Sequence, residues 1–480
     1  MRFSIISRYT GLAILLNAVF MLVSAMVSLF NGIDTAFYPL LLSTLLTVIV
    51  GSFPLIFVPG NSNIKNKEGY IIVVVSWVIS SIVGMLPYLL WGGEFTLVNS
   101  FFESISGYTT TGASILQNVE ALPRGLLFWR SSTHTIGGAG IIIFALAVMP
   151  SANKAKLSLS NIELSSLAKD NYRYRIDKVV RILLFIYATL ISSETICLRL
   201  AGMDWFDAIN HSMSTIATGG FSTRNMSIAS YNNIWIEVII MVFMAFSGLH
   251  FGLLFATLTR KKMNLFSSEV SRYYFTTILV GTIVITLNLF ATDTYSLFDS
   301  LRFASFQFIS IITTTGYATV DTGMWPSLSV LVLIFYTFHC ACAGSTTGGL
   351  KADRFLILVK VFRARTLKMQ HPNAIIKIKL NKMALTEDLT FTVLVFVALY
   401  IVICLIFTLI LTAMGIDLTT SFTAAAASLG NVGPGFGDVS SLSNFASLPS
   451  AAKMTCAFAM LLGRLELFGF IQIFLMKSWR

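Results

Sequence analysis

The sequence predicts an all-α polytopic membrane protein, in which an N-terminal pair of transmembrane helices precedes four pseudo-symmetric repeats around a central pore. Each repeat is expected to consist of a helix, a short re-entrant pore helix and a second helix. Two observations carry this prediction. The 480 residues are 55% apolar and only 11% charged, whereas a soluble protein has about 25% charged residues. A glycine-bearing segment also recurs four times between long apolar runs.

Ten apolar runs have the length of about 20 residues that a helix needs to cross a bilayer. They are Tyr9–Phe30, Thr35–Val58, Tyr70–Trp91, Leu126–Met149, Val179–Leu200, Asn233–Leu258, Tyr273–Thr292, Trp325–Ala343, Leu389–Ala413 and Met454–Met476. Arg2 and Arg8 precede the first run as in a signal peptide, but its length and the close second run favour a membrane helix. These ten full spans divide the chain into an N-terminal helix pair at 1–60 and pore repeats at 61–150, 151–259, 260–365 and 366–480.

Basic residues predict the orientation, because loops rich in Lys and Arg stay in the cytoplasm. Of the 33 Lys and Arg residues, 26 lie near the two termini and in the loops after the second, fourth, sixth and eighth runs. The loops on the opposite side carry mainly acids. A multi-pass protein with both termini in the cytoplasm is therefore predicted. The basic loops also suit anionic lipid or a cytoplasmic partner, whereas no nucleic-acid partner is expected.

A fourfold repeat lies in the outer loops, where short apolar segments end in small hydroxyl residues and glycine. The four segments are Ser106–Ser114, Ser214–Ser222, Ser310–Ala318 and Ala427–Gly435. Aligned without gaps, they stack four glycines, Gly112, Gly220, Gly316 and Gly433. Irregular backbone at membrane depth is tolerated only where it is buried in protein or lines water. We therefore expect the four segments to line one pore.

The cores of these segments resemble an ion filter. They read Thr-Thr-Gly-Ala, Thr-Gly-Gly-Phe, Thr-Thr-Gly-Tyr and Asn-Val-Gly-Pro. The third is one substitution from the TVGY of potassium-channel filters, whose backbone carbonyls replace the hydration shell of the ion. Packing or turn glycines are the alternative, but four in register favour a filter with K⁺ as its only metal and no other cofactor. The predicted ion-binding residues are Thr110, Thr111, Gly112, Thr218, Gly219, Gly220, Thr314, Thr315, Gly316, Asn431, Val432 and Gly433.

Two features of the apolar runs suggest control of such a pore. Arg464 lies in the middle of the tenth run, where an ionisable residue is a functional candidate by default. We interpret it as a fixed positive charge facing the pore, with a structural ion pair to Glu466 or another acid as the alternative. The glycine-rich stretch 343–349 disfavours a continuous eighth helix. It fits either a flexible intramembrane loop below the filter or a tight exit turn.

Three further segments make a family recognisable: Leu127–Gly140, Cys342–Lys351 and Met460–Glu466. Together with the glycine segments they resemble the Trk/Ktr/HKT superfamily of potassium transporters over essentially the whole chain. The extra N-terminal helix pair makes the bacterial Trk-type potassium uptake membrane subunit the most similar. Thr347 departs from the family pattern, which often has glycine there, and His134 and Thr135 replace a more usual polar-aromatic pair.

The resemblance implies potassium uptake across the bacterial cytoplasmic (inner) membrane through a K⁺-selective, channel-like pore. It also implies a homodimer, contact with membrane lipid, and a cytoplasmic nucleotide-binding regulatory subunit with Rossmann-like domains. By the same resemblance, an intramembrane loop and a pore arginine gate the pore. Lys351 lies just beyond the loop, where it is expected to latch the loop to an acid or a carbonyl. The gating residues are then Gly344, Ser345, Thr346, Thr347, Gly348, Gly349, Lys351 and Arg464. Symport of K⁺ with Na⁺ or H⁺ is the alternative; no motif indicates an enzyme.

Other ionisable residues within the apolar stretches receive structural interpretations. Glu194 and Arg199 are expected to form an ion pair on one helix. His211 aligns with Glu103 and Gln307, and polar caps behind the filter are favoured over ion ligands. The five dispersed cysteines fit buried thiols rather than a disulfide framework or a metal site.

Overall fold

The computed structural model describes residues 2–59, 66–148, 176–260, 264–381 and 383–465, and these residues form helices joined by loops and one hairpin. The helices are α1 (Phe3–Phe30), α2 (Phe37–Phe57), α3 (Asn66–Gly84), α4 (Leu86–Trp91), α5 (Leu97–Tyr108), α6 (Arg124–Val148), α7 (Ile176–Leu200), α8 (Trp205–Ile216), α9 (Ile234–Ser247), α10 (Phe251–Arg260), α11 (Glu269–Ala291), α12 (Leu297–Ile312), α13 (Ser327–His339), α14 (Ala352–Gln370), α15 (Glu387–Ala413), α16 (Leu418–Gly430) and α17 (Ser450–Arg464). The hairpin pairs β1 (Lys379–Leu380) with β2 (Met383–Ala384) in antiparallel register.

Six helical segments of the described residues are long and apolar enough to cross a membrane. They are α1, α2, Ile71–Trp91 in α3 and α4, Arg181–Leu200 in α7, α11 and α15. They coincide with the first, second, third, fifth, seventh and ninth predicted runs. Large apolar side chains such as Ile49, Leu279 and Leu409 are exposed on α2, α11 and α15, as expected of surfaces that face lipid. The prediction of a helical, multi-pass membrane protein is confirmed.

The sixth predicted run is broken rather than continuous. Helices α9 and α10 meet at an angle of 104°. At this break the backbone forms two hydrogen bonds with another part of the chain. The Cys342 N–H donates to the Gly248 carbonyl over 3.0 Å, and the Phe251 N–H donates to the Gly344 carbonyl over 3.2 Å. The prediction of a continuous helix over Asn233–Leu258 was therefore wrong, because these backbone groups bond across the fold instead of along the helix.

The eighth predicted run is also shorter than expected. Helix α13 has 13 residues, about 20 Å at 1.5 Å per residue, and ends before Cys340, which has a left-handed φ of 51°.

Helix α6 has 25 residues and the length of the fourth predicted span. Helix α17 contains the start of the tenth run, and the part of that run beyond residue 465 lies outside the described residues. The count of ten spans therefore stays a prediction.

The predicted domain boundaries meet the helices unevenly. The boundaries after residues 60 and 150 lie outside the described residues, and the one after residue 259 lies at the end of α10. The boundary after residue 365 falls inside α14, which continues to Gln370.

Four short helices, α5, α8, α12 and α16, lie where the sequence predicts the pore helices of the repeats, and we call them pore helices; they have 12, 12, 16 and 13 residues. None is long enough to cross a bilayer. Thr96, Ser296 and Asp417 cap three of them, because each side-chain oxygen accepts the backbone N–H three residues on. Hydrogen bonds from Thr420 also hold the pKa of Asp417 below its ordinary value.

Candidate ion-binding site

All four pore helices end in the same backbone motif. Just past each helix, one residue has a left-handed φ between 52° and 55°; these residues are Thr110, Thr218, Thr314 and Asn431. Its N–H bonds the carbonyl three residues back, and the next N–H bonds the carbonyl five residues back at 2.8–2.9 Å. This pair of bonds is the Schellman ending of a helix. The stretches that begin at these left-handed residues therefore leave their helices with the same geometry in all four repeats. We call them strand segments, and they comprise residues 110–115, 218–223, 314–320 and 431–445.

The four strand segments form a closed ring. Two residues beyond each left-handed residue lies a glycine whose φ is again positive, at 79°, 81°, 79° and 98° for Gly112, Gly220, Gly316 and Gly433. A Cβ on any of them would lie less than 3.0 Å from a carbonyl oxygen of the next strand segment. The oxygens met in turn are those of Gly219, Thr315, Val432 and Thr111. The fourth segment thus contacts the first, and the close approach requires glycine at each of these positions.

The ring brings together all twelve residues that the sequence singled out for ion binding. Four carbonyl oxygens occupy equivalent places in the four segments, each against the glycine of its neighbour. The segments are buried in protein, which irregular backbone requires within a membrane. Each pore helix also ends at the ring, so that the negative end of its dipole lies there and favours a cation.

The side chains of the four left-handed residues differ in their partners. The Thr314 hydroxyl accepts the Gly348 N–H over 3.2 Å, and the Thr218 hydroxyl donates to the Ala217 carbonyl over 2.7 Å. Asn431 donates through Nδ2 to the Thr111 hydroxyl over 3.0 Å and to a carbonyl of α17 over 2.9 Å. The Thr110 hydroxyl is buried with no hydrogen-bond partner among the described residues. Three of the four side chains are therefore hydrogen-bonded, and the Thr110 hydroxyl differs from them.

Polar side chains brace the strand segments from behind, as the alignment of Glu103, His211 and Gln307 predicted. Glu103 accepts hydrogen bonds from the Ser114 hydroxyl and the backbone N–H of the following residue, both at 3.0 Å. His211 Nε2 lies 3.0 Å from the Ser222 hydroxyl. Gln307 donates to a carbonyl of the third segment over 2.9 Å. These residues bond the protein, which agrees with their interpretation as caps.

Arg130 on α6 is a site residue that the sequence reasoning missed. It is 2% exposed and pairs with the fully buried Glu103, with Nη2 2.8 Å from Oε1. Its Nη1 donates to the Ser222 carbonyl over 3.1 Å, and Nη2 donates to the Ser114 hydroxyl over 3.2 Å. The guanidinium also lies 4.0 Å from the centre of the Phe221 ring. The sequence signal that could have identified Arg130 is a cation within the fourth apolar run together with an acid, Glu103, in the first pore helix.

His134, one of the departures from the family pattern, lies against the second strand segment. Its Nδ1 is 2.8 Å from the Ser214 hydroxyl, and its ring stacks on Phe221 at 4.2 Å between centroids. The ring also fills the space beside Gly219, where a Cβ would overlap it. The departure therefore has a packing role behind the ring.

The stretch 343–349 is an irregular loop that touches the ring. Gly348 donates its N–H to the Thr314 hydroxyl, and the Thr346 hydroxyl donates to the Ile216 carbonyl at the end of α8 over 3.1 Å. Gly344 and Gly349 have left-handed φ of 76° and 69°. The loop is therefore held beside the ring through contacts with the second and third repeats, which a simple exit turn would not make.

Arg464 at the end of α17 binds this loop. Its Nη1 donates to the Thr346 carbonyl over 2.6 Å, and its Nη2 donates to the Gly137 carbonyl of α6 over 3.0 Å. The side chain is 6% exposed. Glu466, the acid considered as an ion-pair partner, lies outside the described residues. The guanidinium thus joins the loop to the first repeat through backbone carbonyls.

The remaining two sequence interpretations have different outcomes. Lys351 directly precedes α14 with a left-handed φ of 63°, which places it at the exit of the loop. Glu194 does not pair with Arg199, which instead donates to the Met203 carbonyl over 3.1 Å. Both carboxylate oxygens of Glu194 lack a hydrogen-bond partner among the described residues. The predicted ion pair was wrong, because Arg199 turns towards the end of its own helix.

A family model, full-length relatives and a solved structure all match this chain to the same family of transport proteins. Residues 41–479 match the TrkH family, described as cation transport protein. The chain is 31% identical to the Trk system potassium uptake protein TrkH of Halomonas elongata and 35% identical to that of Escherichia coli strain K12, with 100% of each chain covered. It superposes on the crystal structure of the potassium transporter TrkH from Vibrio parahaemolyticus with a TM-score of 0.91 at 32% identity, again over 100% of both chains.

Proposed function

The chain belongs to the TrkH family of cation transport proteins, and from this premise we propose that it takes up K⁺ through the ring of strand segments. The permeant ion is K⁺, and the twelve ring residues hold it as it crosses. The path resembles a channel, so the membrane potential supplies the driving force of about 2.3 kcal/mol per charge for each 100 mV. The protein acts in the bacterial cytoplasmic membrane with both termini in the cytoplasm.

The closed ring is the observation that carries this proposal. Four glycines with left-handed φ each contact a carbonyl of the following segment, and the last contact returns to the first segment. Carbonyl groups arranged in this way replace the water of an alkali cation. The ends of four pore helices add a negative potential at the same place. Neither feature serves a neutral or anionic substrate.

The loop 344–349 and Arg464 are proposed to gate this path. The loop bonds Thr314 at one end of the ring, and Arg464 holds the loop through the Thr346 carbonyl. A buried positive charge beside the path repels a cation. Movement of the loop away from the ring, with Lys351 at its exit, is the proposed opening step.

The assembly is proposed to be a homodimer that pairs with a cytoplasmic nucleotide-binding subunit. The relatives are components of a Trk system, as their names state. Helix α14 offers exposed cations to a cytoplasmic partner, among them Arg363, Arg365 and Lys368. The other basic loop, residues 154–181, lies largely outside the described residues.

Coupled symport of K⁺ with Na⁺ or H⁺ is a second candidate function. The break between α9 and α10, with its angle of 104°, favours it, because broken helices line the ion sites of many secondary transporters. The same break contacts the loop, so it also suits gating. The two functions differ in whether flux needs a second ion gradient.

Reconstitution of the purified full chain into liposomes tests the proposal. K⁺ and Rb⁺ should enter under an imposed membrane potential without any Na⁺ or proton gradient, and Na⁺ should enter much more slowly. Flux that appears only with a Na⁺ or proton gradient would establish symport instead. Flux no greater than in empty liposomes, or equal rates for K⁺ and Na⁺, would reject a K⁺-selective path.

A further inference from the structure

The contact between the first and second strand segments is built unlike the other three contacts of the ring. Arg130 reaches both segments at the same level, because Ser114 and Ser222 each lie two residues beyond a ring glycine. One guanidinium nitrogen bonds the Ser114 hydroxyl and another bonds the Ser222 carbonyl. The third, Nε, bonds Glu103 of the first pore helix over 2.9 Å.

Neutral groups join the other segments. The Tyr317 hydroxyl donates to the Phe221 carbonyl over 3.4 Å between the second and third segments. The Ser441 hydroxyl donates to the Val320 carbonyl over 3.1 Å between the third and fourth. The Phe445 N–H donates to the Ser114 carbonyl over 2.8 Å between the fourth and first. A charged side chain at the first contact therefore needs a separate explanation.

Stability is a poor explanation for this buried pair. Removing two charges from water costs as much as their attraction returns, so apolar groups of the same size often stabilise a protein equally well. Geometry is the better explanation, because the guanidinium is a planar fork with five donors in fixed directions. Glu103 orients the fork, and Phe221 covers one face of it. The fork then sets the distance between two strand segments.

We propose that Arg130, oriented by Glu103, is a positioning residue that fixes the width of the ring at its first contact and thereby the preference for K⁺ over Na⁺. This inference rests on the proposed function. It assigns selectivity at that contact to a group that never touches the ion. Without the fork, the first and second segments are free to change their spacing, and the ring loses its fit to one ion size.

The test compares two neutralised ion pairs in the full chain. The double variant Glu103→Gln with Arg130→Met removes both charges, so no unpaired charge stays buried. The control is Glu237→Gln with Arg302→Met, a pair with N–O distances of 2.6 and 2.7 Å that joins α9 to α12. Each protein is reconstituted, and the K⁺/Na⁺ permeability ratio is taken from reversal potentials in planar bilayers. Unfolding temperature in detergent reports stability separately.

We expect the ratio of the Glu103/Arg130 variant to fall by about tenfold, while the Glu237/Arg302 variant keeps the wild-type ratio. Arg130→Lys should also lower the ratio, because an ammonium keeps the charge but cannot form the fork. An unchanged ratio in the folded double variant overturns the inference. If that variant does not fold, Ser114→Ala decides, because it removes the direct bond between the fork and the first segment and must lower the ratio for the inference to hold.

The failure of this inference is distinct from the failure of the proposed function. A selective wild-type protein with unaffected variants rejects the role of Arg130 alone. A wild-type protein that does not discriminate K⁺ from Na⁺ rejects both.

Discussion

The four strand segments share one backbone geometry, whereas the side chains that pack behind them differ from repeat to repeat. The backbone of the segments repeats four times, with left-handed φ at the same two positions and the same two hydrogen bonds at each helix end. The groups that brace them do not repeat: a carboxylate, an imidazole and an amide occupy one aligned position in the first three repeats. In the fourth repeat the aligned residue is Ala424, and the preceding Thr423 instead exchanges hydrogen bonds with the backbone of Phe436.

This difference shows where the chemistry lies. Peptide carbonyls are the same in every residue, so a ring of carbonyls needs only a backbone path that glycine permits. The path can be held by different polar groups, because a carboxylate, an imidazole and an amide can each form a hydrogen bond with the segment. The four repeats therefore keep one backbone geometry while their supporting side chains differ.

The largest expected effect comes from adding a methyl group to the ring. Gly112→Ala, Gly220→Ala and Gly316→Ala should each lower K⁺ flux by about 100-fold, since a Cβ would overlap a carbonyl of the neighbouring segment and small misplacements of a binding site are that costly. Gly433→Ala should be milder, because its Cβ would lie 2.5 Å from the Thr111 carbonyl oxygen, the least severe of the four overlaps. Flux per folded protein in liposomes is the measurement.

The control for this series is Gly415→Ala. Gly415 has a left-handed φ of 85°, but a Cβ there would meet nothing within 4 Å. It therefore carries the strain of a left-handed alanine, about 1–2 kcal/mol, without the overlap. Equal losses in the control and the ring variants would mean that strain, and not ring geometry, explains the effect.

A smaller effect of opposite sign is expected at Arg464. Arg464→Ala should raise K⁺ flux by about tenfold, because it removes a buried positive charge and frees the loop from its bond at the Thr346 carbonyl. Arg464→Lys separates these causes. If flux stays low in the lysine variant, the positive charge limits permeation. If flux rises as in the alanine variant, permeation is limited by the guanidinium bridge that joins the Thr346 carbonyl of the loop to the Gly137 carbonyl of α6. An alanine variant that folds and conducts like the wild type contradicts the proposed gate.

The sequence anticipated what is local and periodic. The four glycines and the residues two positions before them appear in register because a Schellman ending and a left-handed glycine are local requirements of the backbone. The polar caps at the aligned positions of Glu103, His211 and Gln307 were visible for the same reason. Fixed spacing along the chain is all that these features need.

Contacts between distant parts of the chain were not predictable in this way. The fourth apolar run shows that Arg130 needs a partner, but its spacing does not show that the partners are an acid 27 residues earlier and a carbonyl 92 residues later. The bend after Ser247 was missed although Gly248 and His250 interrupt the apolar run there, because the N–H group that bonds its broken backbone belongs to Cys342 in another repeat. The pairing of Glu194 with Arg199 was suggested by their proximity in sequence, but Arg199 has a nearer backbone acceptor.

The smallest predicted effect sharpens the comparison between the contacts of the ring. Tyr317→Phe removes a neutral hydroxyl that bonds the Phe221 carbonyl over 3.4 Å and the His211 carbonyl over 3.2 Å. Long neutral hydrogen bonds contribute little net free energy, so the K⁺/Na⁺ permeability ratio should fall only about two- to threefold. Tyr274→Phe is the matched control, since that buried hydroxyl bonds a carbonyl of α9 over 3.3 Å, away from the ring, and should leave the ratio unchanged. A Tyr317→Phe loss as large as that of the Glu103/Arg130 variant would show that the second contact of the ring is as critical as the first, and that charge gives the first no special role.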